Sequence, residues 1–327
     1  MAGEFAELHD DLRAVAADVL SRKADWATLV AAGWVGLEVP EKLGGSGATF
    51  AEVAVICEEL GRAAAASHYL GSAVLTVGLL NSLQDSEVRD GLLADVAAGR
   101  TRVAAVIGGS FTLDTDRRLT GQADFVPDAA GADRLLVAAA DPGGADVIVV
   151  AEGLTITAQP LLDETRSVAT VTADGIKADG VLRGNGTAAL HNRAALAVAC
   201  DSLGLAEAML AATVDYAKTR TQFGRPIGSF QAVKHACADM LVKTSVARAL
   251  IREAVNASDA DADTAVAMAK SYTCAAAVDV VGKALQLHGG IGYTWESGIH
   301  VYLKRATFNR SLFGSPAAHR RRLAQRY

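Results

Sequence analysis

Hydrophobic positions recur at helical spacing through the first part of the chain, residues 1–100. In the segment AEVAVICEELGRA, apolar residues such as Val53 and Leu60 belong to a set that recurs every three to four positions, and charged residues lie between them. A loop rich in Pro and Gly, residues 40–47, precedes this segment, and Thr49 stands where it would cap the helix. We therefore predict an N-terminal helical domain over residues 1–100.

The pattern changes to short β-type runs between residues 101 and 186. The run RLLVAAADPGGADVIVVAEG holds two apolar segments on either side of residues 141–144, whose Asp-Pro-Gly-Gly sequence indicates a hairpin. Residues 155–157 and 167–172 alternate or carry β-branched side chains, which predicts further strands. The sequence thus predicts a small middle β-domain over residues 101–186.

Helical spacing returns over residues 187–327. Leu203 and Leu210 belong to one amphipathic rhythm, and the acidic Glu207 and Glu253 are expected on solvated helix faces. The predicted fold class is mainly α with a central β-domain: helix, then β, then helix.

Composition narrows the class of partner. With 51% hydrophobic residues, 21% charged residues and a net charge of −6, the chain is expected to fold and not to bind nucleic acid. The uncharged stretch 63–84 is interrupted by polar residues, so we predict a buried helix pair and no membrane span. The start, MAGEFAELHDD, does not resemble a signal peptide, which predicts a cytoplasmic protein.

Generic chemical motifs give mostly negative results. The four cysteines form no CxxC pair and the seven histidines show no metal-ligand spacing, so no metal site is predicted. The sequence has no GxSxG, HExxH, P-loop or GxGxxG following a strand.

Two segments carry more specific chemistry. Residues 220–227, RTQFGRPI, followed by Phe230-Gln231, offer a guanidinium, amides and aromatic rings in a compact loop, which suits a dinucleotide pyrophosphate and ring. Residues 286–293, QLHGGIGY, place glycines at a helix end, where backbone can approach a ligand closely. Either alone is compatible with a simple helix C-cap.

Together with GWVGLEVPEKLGGSGATFAEVAVICEELGRA, these segments make nearly the whole chain resemble the acyl-CoA dehydrogenase family. The resemblance implies an N-terminal helical domain, a small β-barrel and a C-terminal four-helix bundle. It also implies an oligomer that holds FAD and removes two hydrogens across Cα–Cβ of an acyl-CoA.

In this family FAD is shared across a subunit interface, and one subunit's C-terminal domain clasps the nucleotide held by its neighbour. The residues that match this role are Arg220, Gln222, Phe223, Gln286, Gly289, Gly290 and Gln231. By resemblance, Arg220 and Gln222 would meet the pyrophosphate, and Phe223 would pack near the adenine side. Gln286, Gly289 and Gly290 would meet the far end of the nucleotide, and Gln231 would contribute.

The half of the site that holds the flavin ring departs from the family's pattern. The stretch VIGGSFTLDTDRRLTGQADFVPD lacks both the TEPGAGSD-like loop and the WIT-like strand of the family. Phe125 stands about where the flavin-stacking Trp is expected, and Pro127 removes an N–H donor. The resemblance therefore implies an incomplete flavin pocket in this chain.

The catalytic carboxylate is also missing at the positions that the family uses. Abstraction of an α-proton needs a carboxylate, but the aligned positions hold Phe313 and Ala194. Among other acids, Asp201 lies between apolar neighbours and would need a partner if buried. We expect Asp201 and Glu296 to be structural.

The chain keeps the nucleotide-binding segments but lacks the flavin-pocket motifs and the base. In this respect it resembles the shorter, non-catalytic subunit of heteromeric actinobacterial steroid-degrading acyl-CoA dehydrogenases. The resemblance implies a heterotetramer whose partner subunit carries the Glu, the flavin pocket and most contacts to a steroid-derived CoA thioester. The resemblance also implies a further partner, an electron-transfer protein that accepts the electrons. Two alternatives stay open: a self-sufficient homo-oligomeric dehydrogenase with an unrecognised base, and a flavin-free pseudo-enzyme or structural subunit.

Overall fold

Helices occupy both ends of the chain and strands its middle, as the hydrophobic pattern predicts. The computed structural model describes residues 2–22, 25–184 and 187–326. The α-helices of these residues are α1 (Ala2–Arg22), α2 (Trp26–Ala31), α3 (Phe50–Arg62), α4 (Gly78–Asn81), α5 (Glu87–Ala97), α6 (Thr187–Thr219), α7 (Gln231–Val255), α8 (Asp259–His288), α9 (Ile299–Ser311) and α10 (Pro316–Ala324). The predicted fold class is confirmed.

The strands form one curled sheet and one short hairpin. They are β1 (Val103–Val106), β2 (Ser110–Leu113), β3 (Arg118–Pro127), β4 (Arg134–Ala140), β5 (Asp146–Ala151), β6 (Thr155–Ala158), β7 (Val168–Lys177), β8 (Gly180–Leu182), β9 (Thr221–Gln222) and β10 (Arg225–Pro226). The large sheet runs in the order β6-β7-β3-β2-β4-β5-β8, with β1 parallel to β4. Strands β4 and β5 pair antiparallel around residues 141–145, so the predicted hairpin is confirmed.

The chain divides into two units. The helical unit comprises residues 1–22, 54–65 and 195–327, and its core is built by α6–α9 with residues such as Leu205, Met240 and Val280. The sheet unit comprises residues 23–53 and 66–194, and the inner face of its sheet is apolar, for example at Leu119, Val137 and Val171.

The start of α3 confirms the predicted cap. The Thr49 backbone N–H and hydroxyl donate to Glu52 Oε2 at 2.8 and 2.7 Å, and the Ala51 N–H donates to Thr49 Oγ1 at 3.2 Å. This reciprocal arrangement is a capping box, which satisfies backbone groups that the first helical turn leaves open.

The prediction of a helix pair over residues 63–84 is wrong. The segment forms a single helix, a buried π-helical stretch Leu70–Val77 that runs into α4. The described helix that is long and apolar enough to cross a membrane is instead α6, over Ala189–Thr219. Because 78% of its most apolar window is buried within the protein, it is well explained as a core helix.

Candidate cofactor-binding site

A tight hairpin follows the end of α6 and presents the RTQFG segment. Strand β9 pairs antiparallel with β10, and the Ile227 N–H donates to the Arg220 carbonyl at 2.8 Å, which closes the loop. The loop residues Phe223 and Gly224 have φ of 54° and 76°. Positive φ at both positions is the requirement of a type I′ turn, which suits a two-residue hairpin.

Phe223 occupies this turn at a conformational cost. L-residues with a β-carbon are disfavoured at positive φ, and the side chain is 90% exposed, so burial does not compensate. Its ring lies nearly perpendicular to that of Phe230, with the centroids 6.1 Å apart, while the Arg225 guanidinium lies 4.2 Å from the Phe230 ring centroid. An exposed aromatic ring held in a strained turn indicates a binding role.

The second segment ends α8. Gly289 has φ 63° and ψ −142°, a conformation that other residues rarely adopt, and its N–H donates to the Gln286 carbonyl. A β-carbon at Gly289 or Gly290 would meet nothing within 4 Å, so the backbone here faces open space. The exposed Gln286 side chain accepts a hydrogen bond from Lys283 Nζ at 2.8 Å. The helix end is therefore open to a ligand.

One contact joins the two segments. The Tyr216 ring, one turn before Arg220, stacks on the His288 ring with centroids 4.4 Å apart, and the Tyr216 hydroxyl donates to the His288 carbonyl at 3.4 Å. The structure thus brings both predicted segments to one end of the helical unit. Sequence reasoning did not identify Tyr216; its position four residues before Arg220 on a helix was the available signal.

We call the RTQFG and QLHGG segments, together with Gln231, the clasp. The residues of this clasp fit a dinucleotide. The exposed Arg220 guanidinium makes no ion pair with any residue that the structure describes, so its donors are available to a pyrophosphate. Gln222 is exposed on β9, and Gln231 is exposed where α7 begins. This inventory of guanidinium, amides, an aromatic ring and open glycine backbone can hold the phosphates and ring of FAD.

In the sheet unit, Phe125 lies at a bulge of β3. Pairing between β3 and β7 shifts between Ala123 and Val126, and Phe125 has φ 55° with its side chain 54% exposed. Its backbone N–H donates to Gln159 Oε1 at 3.0 Å. An exposed aromatic ring is therefore retained at the predicted ring-stacking position, although Pro127 offers no N–H there.

Neither position expected for a catalytic base offers a carboxylate. Phe313 is half-buried in the turn between α9 and α10, and Ala194 is buried in α6. Asp201 is buried and forms an ion pair with Arg305, so its carboxylate is engaged within the core. Glu253 is exposed on α7, as predicted, and Glu296 is exposed.

The prediction that Glu207 lies on a solvated helix face is wrong. Its side chain is only 18% exposed, and it accepts hydrogen bonds from Arg62 and Arg248. Arg248 also donates to Glu58 at 2.7 Å, so α3, α6 and α7 share one charge network. Its basic partners, Arg62 and Arg248, lie on α3 and α7, which is why the spacing within α6 alone could not reveal the network.

Burial and charge oppose one another in this network. Burial raises the pKa of Glu59 despite the nearby Arg62 guanidinium. For Arg62 and Arg248, burial acts to lower the pKa, but the surrounding glutamates together raise it above its ordinary value. These arginines are therefore permanent cations that stabilise the packing of three helices.

Comparisons with protein families match both ends of the chain. Residues 187–327 match the model described as acyl-CoA dehydrogenase, C-terminal domain, and residues 1–100 match the model for the N-terminal domain of acyl-CoA dehydrogenase.

Relatives that are similar over most of their length come from mycobacteria. The chain is 33% identical over 299 residues to acyl-CoA dehydrogenase IpdE2 of Mycolicibacterium smegmatis, covering 89% of this chain and 83% of the relative. It is 34% identical over 300 residues to acyl-CoA dehydrogenase IpdE2 of Mycobacterium tuberculosis, covering 89% and 82%.

Solved structures share the fold over almost the full length. A variant of the Tcur3481–Tcur3483 steroid ACAD matches with a TM-score of 0.88 and 27% identity, covering 98% of this chain and 97% of that one. The ChsE4–ChsE5 complex from Mycobacterium tuberculosis matches with a TM-score of 0.89 and 26% identity, covering 97% and 96%.

Proposed function

Because this chain belongs to the acyl-CoA dehydrogenase family, we propose that it is the non-catalytic subunit of a heteromeric, flavin-dependent acyl-CoA dehydrogenase. The observation that carries this proposal is an asymmetry. The segments predicted to hold the nucleotide are exposed, and Arg220 forms no ion pair with any described residue, whereas Phe313 and Ala194 stand at the positions expected for the base. A chain of this kind completes a cofactor site that another chain begins.

In this proposal each of the nucleotide-contacting residues has a defined task. Arg220 and Gln222 bind the pyrophosphate of FAD held mainly by the partner, and Phe223 packs near the adenine. Gln286 and the open backbone at residues 289–290 bind the far end of the nucleotide, with Gln231 contributing. When bound, FAD would supply the hydride acceptor, and a Glu of the partner subunit would serve as the base for the α-proton.

The proposed organisation has three domains, residues 1–100, 101–186 and 187–327, of which the last carries the clasp. The similarity to the ChsE4–ChsE5 complex supports a two-chain assembly, for which we propose a heterotetramer. We place this enzyme in the cytoplasm, where it would pass electrons to an acceptor protein.

The proposed substrate is a CoA thioester of steroid origin. The similarity to a steroid ACAD supports this class. Because the flavin pocket of this chain is incomplete and the expected base positions hold Phe313 and Ala194, most acyl contacts belong to the partner in this proposal.

Replacement of the clasp arginine tests the proposal. The complex is purified with the partner subunit, and the affinity for FAD is measured for wild type and Arg220→Ala. A charged hydrogen bond contributes about 1.5–3 kcal/mol, so FAD affinity is expected to fall by about 10- to 150-fold. The matched control is Arg252→Ala, because Arg252 is an exposed arginine near the C-terminal end of α7. This variant is expected to leave the affinity for FAD unchanged. Full flavin occupancy in Arg220→Ala at limiting FAD would contradict the assignment.

A further inference from the structure

A cavity of about 420 Å³ lies within the sheet unit, away from the residues of the clasp. Its walls come from the start of α2, from residues 66–68 ahead of the π-helical stretch, from Arg102 before β1, and from residues 164–167 before β7. This volume is in the range of pockets that hold small organic molecules. Nothing in the proposed subunit role uses it.

Two uncharged side chains in the cavity wall each have a buried polar atom without a hydrogen-bond partner. These atoms are the indole Nε1 of Trp26 and the hydroxyl Oγ of Ser67. The indole N–H can only donate, and the serine hydroxyl can donate as well as accept. Because buried polar groups are normally paired, two open donors on one cavity indicate a missing acceptor.

Arg102 adds a charged donor to the same wall. It is half-buried, and its guanidinium forms no ion pair or hydrogen bond with any residue in the described part of the chain. Its backbone is fixed, because the Arg102 N–H donates to Asp133 Oδ2 at 2.8 Å and the Asp133 N–H donates to the Arg102 carbonyl, also at 2.8 Å. The position of this cation is therefore set by the fold.

The acidic groups around the cavity already have other partners. Asp25 accepts from the Thr28 N–H at 2.9 Å and from the Thr28 hydroxyl at 2.7 Å, which caps α2. Glu164 also has an interaction partner. The same holds for Arg166, a basic residue in the cavity wall.

The remaining titratable pair lies beside them. Asp128 accepts from the Gly71 N–H at 2.6 Å and lies 3.5 Å from His68 Nδ1. The acids are thus engaged, whereas Arg102 and the two open donors are not.

We propose that this cavity binds an oxyanion, the carboxylate or phosphate group of a small organic molecule. The Arg102 fork supplies the countercharge, and the Trp26 N–H and the Ser67 hydroxyl donate to the anion's oxygens. The cavity is larger than a bare phosphate, so the organic part of the ligand occupies the rest. This site is independent of the proposed subunit role.

The indole N–H of Trp26 gives a direct readout. The full-length protein, labelled with ¹⁵N, is titrated with sodium phosphate and separately with sodium acetate at constant ionic strength, and its three Trp indole resonances are followed. Trp26→Phe assigns the Trp26 resonance. We expect a saturable shift of that resonance with a Kd of about 10 mM or tighter, while the Trp34 and Trp295 resonances stay in place. Saturation by one anion alone identifies the phosphate or the carboxylate class; saturation by both supports a general oxyanion site.

Two variants make the test specific. Arg102→Gln is expected to weaken binding by about tenfold or more, and Arg102→Lys to recover part of it. Arg134→Gln is the control, since Arg134 is exposed in the same unit and lies 3.6 Å from Glu152. An unshifted Trp26 resonance up to about 100 mM of both anions would overturn the proposal. So would an unchanged Kd in Arg102→Gln.

Discussion

The Asp201 carboxylate and the Arg305 guanidinium form a two-point ion pair in the core of the helical unit. Arg305 Nε donates to Oδ1 at 3.0 Å and Nη2 donates to Oδ2, with both side chains at most 4% exposed. Asn309 Nδ2 also donates to Oδ1, at 2.6 Å, and Arg305 Nη1 donates to the Ala65 carbonyl at 2.7 Å. The pair therefore connects α6, α9 and the chain just beyond α3.

Removal of one partner is expected to be severe. Asp201→Ala removes the carboxylate that neutralises the buried Arg305 guanidinium, which costs about 3–5 kcal/mol in the free energy of unfolding. The control is Asp215→Ala, which breaks an exposed pair with Lys218 and should change that free energy by less than about 1 kcal/mol. Urea unfolding measures both. If the two variants are equally stable, the buried pair is not a structural anchor.

Close contact between α3 and α6 depends on glycine. A β-carbon at Gly204 would lie 1.9 Å from the Glu58 carbonyl oxygen, and one at Gly61 would lie 2.0 Å from the Asp201 carbonyl oxygen. Because these are backbone atoms, Gly204→Ala must push the helices apart, at a cost of about 3 kcal/mol.

Gly282→Ala is the matched control for this prediction. Gly282 lies within α8, and a β-carbon there would meet nothing within 4 Å. Alanine favours the helix, so this variant is expected to be up to about 1 kcal/mol more stable than wild type. Equal destabilisation by both changes in urea unfolding would show that helix contact at Gly204 is not the cause.

Local patterns in the sequence predict the elements well, because caps and turns depend on nearby residues. The Thr49 cap, the hairpin after residue 140 and the loop after α6 follow from such signals. The Tyr216–His288 stack joins residues that are 72 positions apart. The partners of Glu207 and the glycine contact of α3 with α6 are equally non-local, so spacing within one segment cannot reveal them.

Buried His319 should make stability depend on pH. Its Nε2 lies 3.0 Å from the Phe313 carbonyl, and burial lowers the pKa of His319 below 6.5, with the Lys270 and Arg322 charges acting in the same direction. As pH falls below about 6.5, the unfolded chain binds a proton that the folded chain resists, so the free energy of unfolding decreases.

The measurement is urea unfolding at pH 7.5 and 5.5. Between these two pH values, the free energy of unfolding of the wild type is expected to fall by up to about 1 kcal/mol more than that of His319→Gln. His235→Gln, at an exposed histidine, should keep the wild-type pH dependence. A His319→Gln variant with the wild-type pH dependence would contradict this assignment.

Phe223 should show a trade between stability and binding. Phe223→Gly relieves the positive φ, whereas Phe223→Ala keeps it, so the Gly variant is expected to be more stable than the Ala variant by about 1 kcal/mol. Both variants lose the ring and are expected to weaken FAD retention by the complex to a similar degree. Wild-type FAD affinity in Phe223→Gly would remove the ring from the proposed cofactor contacts.

The visible spectrum of the purified chain, expressed alone and with its partner dehydrogenase subunit, tests the central proposal most directly. The proposed division of the flavin site predicts a colourless chain alone and a yellow, active complex with about one flavin per heterodimer. A yellow chain that alone bleaches its flavin with an acyl-CoA would contradict the proposal, because the chain would then hold a complete site and a base of its own.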